Sequence, residues 1–193
     1  MQIIFAQASD FAGLTGTRFD GAVTPDPDPT PDPTPDPTPG VGFTSDAAFV
    51  QSADDSATAS YTLGASTING AECSGFKLGT SKKAGVFTSK AVGVAGDKTL
   101  ELTAFAWKDK SAKLYIKVEG GGSASVSEIS LNANVGATGN PPYTITAAET
   151  DTYTVTLTGL TETSTIVFST HNTFAAADDL ASGRAVVAGV HLE

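Results

Sequence analysis

Cysteine occurs once in this chain, at Cys73, which excludes an intrachain disulfide and leaves a small buried thiol as the expected role. Histidine is almost as scarce. His171 and His191 have neither a His-x-x-x-His spacing nor a second cysteine to share a metal with, so a zinc site is not expected. Basic residues number 11 against 21 acids, and no Lys/Arg block breaks the formal charge of −10, which excludes nucleic acid as a partner. Long apolar runs are missing too. The longest one at the amino end, Ile3 to Ala6, has no Lys or Arg ahead of it and falls short of the roughly 7–15 apolar residues of a secretory signal. The chain as written therefore carries no export signal. No window approaches the roughly 18 apolar residues of a spanning helix, which sets membrane insertion aside.

Catalytic signatures are absent as well. Nucleophilic catalysis needs a nucleophile, a base and an orienting group within hydrogen-bond reach, and only two histidines are on offer as bases. His191 alternates with Val190 and Leu192 on an apparent final strand, where a packed or surface position is expected. His171 lies in "FSTHNTF", a turn after a strand. The many acids fall in turns or on polar strand faces, where solvated charge is the expectation and a catalytic carboxylate pair is not. The glycine-rich "EGGGSAS" follows a strand but opens no helix, so it reads as a hairpin loop instead of a phosphate cradle. These residues point to a non-enzymatic protein without a cofactor.

What the chain does have is proline in one place. All of its 10 prolines except Pro141 and Pro142 lie in "TPDPDPTPDPTPDPTPG", Thr24 to Gly40. Proline at alternate positions fixes φ, removes amide donors and drives each preceding residue out of the helical region, which leaves polyproline II as the main conformation. Asp26, Asp28, Asp32 and Asp36 repel one another and favour extension. The 16 residues from Thr24 to Pro39 would span on the order of 50 Å. This segment divides the chain into residues 1–23, a 24–42 linker and a 43–193 domain. The first 42 residues hold six Asp and one Arg, a charge of −5, and the other 15 acids and 10 bases give a further −5. Residues 1–23 are too few to bury a core of their own. Ile3, Ile4, Phe5, Phe11, Leu14 and Phe19 therefore call for a partner surface, and Gln2 to Ala6 has the pattern of a strand that adds to an exposed sheet edge.

From Phe43 onward the texture is Thr, Val, Ser, Ala and Gly in alternating runs. "TLELTAFAW" places Leu100, Leu102, Ala104 and Ala106 on one face, and "KLYIKV" does the same with Leu114, Ile116 and Val118. With "KDKS" between them, Lys98 to Val118 reads as a hairpin. Further strands are expected in "FVQS", "ATASYTL", "GFKLG", "GVFTS", "SVSEISL", "YTITA", "DTYTVTLTG", "TSTIVFS" and "RAVVAGVHL". The broken alternation of Val126, Ile129 and Leu131 suggests a bulge. About ten short strands joined by turns describe an all-β fold, an antiparallel β-sandwich or jelly roll. One short helical turn is expected, in "TFAAADDLASG".

Four stretches, "FKLGTSKKAGVFTSKAVGV", "KTLELTAFAWKDKSAKLYIKVEGG", "YTVTLTGLTETSTIVFST" and "SGRAVVAGVHL", resemble the galactose-binding-like jelly rolls that serve as carbohydrate-binding accessory modules on bacterial surface and phage virion proteins. The likeness covers most of residues 43–193 and includes a last strand that opens with Arg184. It implies a sandwich with a habit of glycan binding, through exposed aromatics and planar polar groups. Such modules often carry a structural calcium, for which Asp54-Asp55 and Asp178-Asp179 are the acidic pairs on offer, far short of the six to eight oxygens a calcium takes. Trp107 ends a strand and Tyr143 follows the turn "GNPP". Rings at loop edges can stack on a sugar while Lys108, Asp109 and Asn140 bond its hydroxyls; the competing role for Trp107 is packing against the second sandwich face with Phe105.

A partner-seeking leader, a stiff acidic spacer and an adhesive sandwich without an export signal suit a particle assembled inside a cell and displayed outside it. The expectation is a virion-surface fibre or decoration protein of a bacteriophage. Its amino-terminal segment would dock on capsid or tail protein and its jelly roll would bind host-surface or mucosal glycans, with a homo-oligomer compatible with that display. The alternative is a secreted carbohydrate-binding module or donor-strand filament subunit, located outside the cell or on its surface.

Overall fold

The computed structural model describes residues 43–108, 111–134, 136–180 and 183–193. The leader residues Ile3, Ile4, Phe5, Phe11, Leu14 and Phe19, the Thr24–Gly40 spacer and Asp109 lie outside the described residues. The described chain is all-β. Its strands are β1 (Ser60–Thr62), β2 (Thr67–Ile68), β3 (Ala71–Glu72), β4 (Phe76–Leu78), β5 (Val86–Thr88), β6 (Gly96–Trp107), β7 (Ala112–Glu119), β8 (Ser123–Ala124), β9 (Glu128–Leu131), β10 (Ala133–Asn134), β11 (Thr144–Ile145), β12 (Thr152–Leu160), β13 (Thr165–Ser169) and β14 (Ala185–Leu192).

Two antiparallel sheets face one another, an arrangement compatible with a β-sandwich. The larger runs β1-β4-β14-β6-β12-β8, with β10 added in parallel at the end of β6; the smaller runs β5-β13-β7-β9. The core between them follows the period of two. Leu100, Leu102, Ala104 and Ala106 of β6, with Phe76 and Leu78 of β4, meet Leu114 and Ile116 of β7 and Ile166 and Phe168 of β13. Phe168 stands 5.6 Å from Phe76 and edge-on to Phe49 at 6.2 Å, while Phe76 stacks on Phe87 at 4.0 Å.

A third, three-stranded sheet, β11-β2-β3, covers part of the opposite face of the larger sheet. Under it lies a second apolar cluster in which Phe105, Trp107, Val186 and Ala188 meet Leu63, Ile68, Tyr143 and Ile145. The end of β6 is thus buried on both faces, which is why its sequence changes from the alternating "TLEL" to the unbroken "AFAW".

Several sequence expectations are corrected. β6 and β7 do not form a hairpin: β6 belongs to the larger sheet and β7 to the smaller. "EGGGS" is an arch, from β7 in the smaller sheet to β8 in the larger. Val126 breaks alternation because the chain is changing sheets there, exposed, before β9 starts at Glu128. The bulges lie elsewhere. In β14 the register slips between Val187 and Gly189, and the extra residue turns Val190 into the main core. In β12 it slips between Leu157 and Leu160.

"FVQS" is not a strand; Phe49 closes a 3-10 turn at Ala47–Phe49 and fills the core with its ring. "TFAAADDLASG" holds no helix in its described residues. Asp178 bridges to Lys83, and the Asp179 N–H donates to the Lys82 carbonyl at 2.9 Å, so the backbone is paired outward instead of with itself.

Candidate functional site

Trp107, at the end of β6, and Tyr143, just ahead of β11, are brought together from positions 36 apart in the chain. β6 carries Trp107 to its end, where the indole-bearing residue donates its N–H to the Arg184 carbonyl at 2.8 Å and lies beside Asn134 of β10. Tyr143 is fixed by Ser66, a buried hydroxyl that accepts the Tyr143 N–H at 2.8 Å and donates to the Leu63 carbonyl. The Tyr143 carbonyl in turn accepts from Thr67 N–H at 2.8 Å. Their rings meet edge to face, 5.4 Å between centroids and 81° between planes.

Both rings are covered, with Trp107 4% and Tyr143 6% exposed. The packing of Trp107 beside Phe105 on the second face is what the apolar cluster there shows. What covers the indole is charged. Lys77 Nζ lies 4.8 Å from the Trp107 ring centroid and 4.7 Å from that of Tyr61, and the Arg184 guanidinium lies 5.5 Å from the indole. Tyr61, Lys77 and Arg184 are each half-buried.

The electrostatics follow from this stacking. Burial first, then the neighbouring Arg184 charge, lowers the Lys77 pKa, while Asp54 partly offsets the fall. Burial, helped by the Asp54 charge, raises that of the Tyr143 phenol. Asp54 itself accepts from the Thr62 N–H at 2.8 Å and the Thr62 hydroxyl at 3.1 Å.

Of the other sequence candidates, Lys108 and Asn140 are exposed on loops at this end of the fold, Lys108 with its φ at +60° and its N–H on the Ala137 carbonyl at 2.9 Å. Asp55 caps its own turn, accepting the Ala57 N–H at 2.8 Å. Among the described residues no three His, Cys, Asp or Glu side chains come close enough to hold a metal ion, and no helix is long and apolar enough to cross a membrane. His171 shares its Nδ1 with the Thr173 hydroxyl at 2.9 Å within its own turn, and His191 Nδ1 lies 3.2 Å from the Asp46 carboxylate. Cys73 is buried, its sulfur 3.3 Å from the Ser66 carbonyl, and burial pushes its thiol up to about 11.

A groove of about 480 Å³ opens between Asn132, Asn134, Thr146, Ala148, Thr150 and Asp151. Asp151 is buried there and accepts from the Asn132 amide and the Ala148 N–H. Sequence reasoning missed Tyr61 and Lys77, and it considered Asp54 only as half of an acidic pair for calcium. Alternation in "FKL" puts Lys77 on the face away from Phe76 and Leu78, but only the pairing of β1, β4 and β14 sets Tyr61 opposite Lys77. No protein-family model, curated protein or solved structure matches this chain.

Proposed function

We propose that this chain is a non-enzymatic attachment protein of a bacteriophage virion surface, a fibre or decoration protein whose residues 1–23 dock on capsid or tail protein and whose galactose-binding-like jelly roll contacts host-surface or mucosal glycans. The observation that carries the reading is the Thr24–Gly40 spacer. The acidic, proline-rich composition is that of a semi-rigid spacer, which would keep two attachments apart. Three side chains often used in turnover are held in other roles: the Cys73 thiol is buried and pushed up to about 11, His171 bonds Thr173 within its own turn, and His191 bonds Asp46 across the fold. Glycan contact belongs at the Trp107 end of the larger sheet, where Tyr61, Lys77 and Arg184 remain half-exposed. Many weak sites on one particle would give avidity without high single-site affinity.

Two experiments test it. Particles assembled with residues 1–23 deleted should lack the protein when imaged; normal decoration overturns the anchor. The full chain on a glycan array should bind, and Tyr61→Ala should weaken binding while leaving the fold intact. Failure to bind at high protein density overturns the adhesive role.

One observation favours the second reading, a secreted module or filament subunit. β1 and β5 are edge strands of the two sheets, and a groove of about 410 Å³ between them is lined by Ser60, Val86, Phe87 and Thr88. A donated strand would seat there. Concentration-dependent polymers of the full chain in sedimentation would support this reading, and a monomer at all concentrations would dismiss it.

A further inference from the structure

We infer that Lys77 and Arg184, stacked together over Trp107, form a binding site for the anionic group of an acidic sugar, a carboxylate or a sulfate. The inference rests on the glycan-binding reading above and names the class of glycan. Two cations within 4.8 and 5.5 Å of one ring centroid repel each other, and neither makes an ion pair among the described residues. Two lysines elsewhere in the fold do pair. Lys113 and Lys117, on the smaller sheet, each hold a glutamate at 2.6 Å. Among the described residues of this chain, whose net charge is −10, no carboxylate lies at ion-pair distance from either member of this half-buried pair. Asp54, whose field reaches Lys77, spends its Oδ1 on the Thr62 N–H and hydroxyl, and with Lys77 and Arg184 it makes a sum of +1 for these three described groups.

Cation–π attraction lowers the cost of holding the pair, but it leaves their outward hydrogen-bond donors unspent. The backbone under both residues is rigid: Lys77 lies between Tyr61 and Val186 in paired strands, and the Arg184 carbonyl is bonded to Trp107 N–H. A guanidinium presents a fork that matches a planar or tetrahedral oxyanion, and an ammonium beside it adds a point charge. Tyr61, half-buried at 4.7 Å from Lys77, supplies a ring on which the body of a sugar can rest. An anion attached to a pyranose satisfies all three groups, whereas a neutral sugar leaves the two charges facing each other.

Trp107 is the only tryptophan, so its emission reports on this site alone. The full chain is titrated with N-acetylneuraminic acid, a sulfated galactose, neutral galactose and sodium sulfate, each against sodium chloride at matched ionic strength. The expected result is a saturable change with an acidic sugar and none with chloride or galactose. Lys77→Gln and Arg184→Gln should weaken it at least about tenfold, Lys77→Arg should retain most of it, and Lys117→Gln should leave it unchanged. The carboxylate and sulfate arms tell which anion is taken. An emission unchanged by every anion overturns the inference, as does a response that survives in both glutamine variants. If the array shows neutral glycans bound and both variants bind them like the parent, the adhesive reading stands and the anion site falls. If sodium sulfate saturates the site and no sugar does, the sugar occupant is overturned.

Discussion

At the scale of single residues, buried polar atoms carry the sharpest consequences. The Thr103 hydroxyl is buried in β6 with no hydrogen-bond partner among the described residues. An unpaired buried hydroxyl costs about 1–3 kcal/mol, so Thr103→Val should raise stability by about 1 kcal/mol in urea unfolding; a loss would mean that the hydroxyl is satisfied in solution. Ser66 is the opposite case. Ser66→Ala strips the Tyr143 N–H of its acceptor and should lower stability by about 1–3 kcal/mol, with the Trp107 emission shifting as its edge-to-face partner loosens. Cys73 gives a pH dependence. Its thiol titrates near 9.0 when unfolded and near 11 when folded, so the unfolded chain gives up the proton first. The stability it contributes is complete below pH 9 and is lost as pH climbs to 11. Urea midpoints should therefore fall more steeply across that window in the parent than in Cys73→Ala.

At the scale of elements, the strands were far more legible than their connections. Alternation identified the inward faces of β6 and β7 residue by residue, because one face of each run is covered by the core and a period of two records that directly. It was silent on pairing. From β4 to β10 every link crosses between the two larger sheets, and a polar turn of four residues reads the same whether it closes a hairpin or spans a core. The backbone of the β7–β8 arch shows what the sequence does record: Gly120, Gly121 and Gly122 all have positive φ, and a Cβ on Gly122 would lie 2.8 Å from the Thr158 carbonyl oxygen. Gly122→Ala should cost more than about 1 kcal/mol in chemical denaturation, a substitution that a solvated hairpin loop would tolerate. The candidate site divides in the same way. Trp107 and Tyr143 were visible as aromatics near turns, but their burial was not, because the small sheet that covers them is made of strands two residues long that leave no periodic trace.

At the scale of the whole described fold, the last strand is the keystone. β14 lies between β4 and β6 in the middle of the larger sheet, and its residues join sequence positions about a hundred apart. A chain ending before Arg184 should lose cooperative unfolding altogether, seen as loss of the near-ultraviolet dichroism of Trp107. The order of strands also implies slow folding. Nearly every pairing is between distant segments, whose loop closure must be completed before any contact rewards it, so refolding should take milliseconds to seconds rather than microseconds. A stopped-flow trace of Trp107 emission complete within a microsecond would contradict that.

The amino-acid order by itself determined the β character and the inward face of each long strand, since these depend on which side of a single strand is apolar, and it is the sole ground for expecting a stiff acidic spacer, through φ restriction at proline. Tertiary structure alone decided that links cross the core, that Trp107 lies under cations instead of open to a ligand, and that Lys77 meets Arg184. The reason is physical: a local pattern records exposure along one strand, whereas a site made of neighbours on β1, β4, β6 and β14 exists only after sheet pairing has fixed which strands lie side by side.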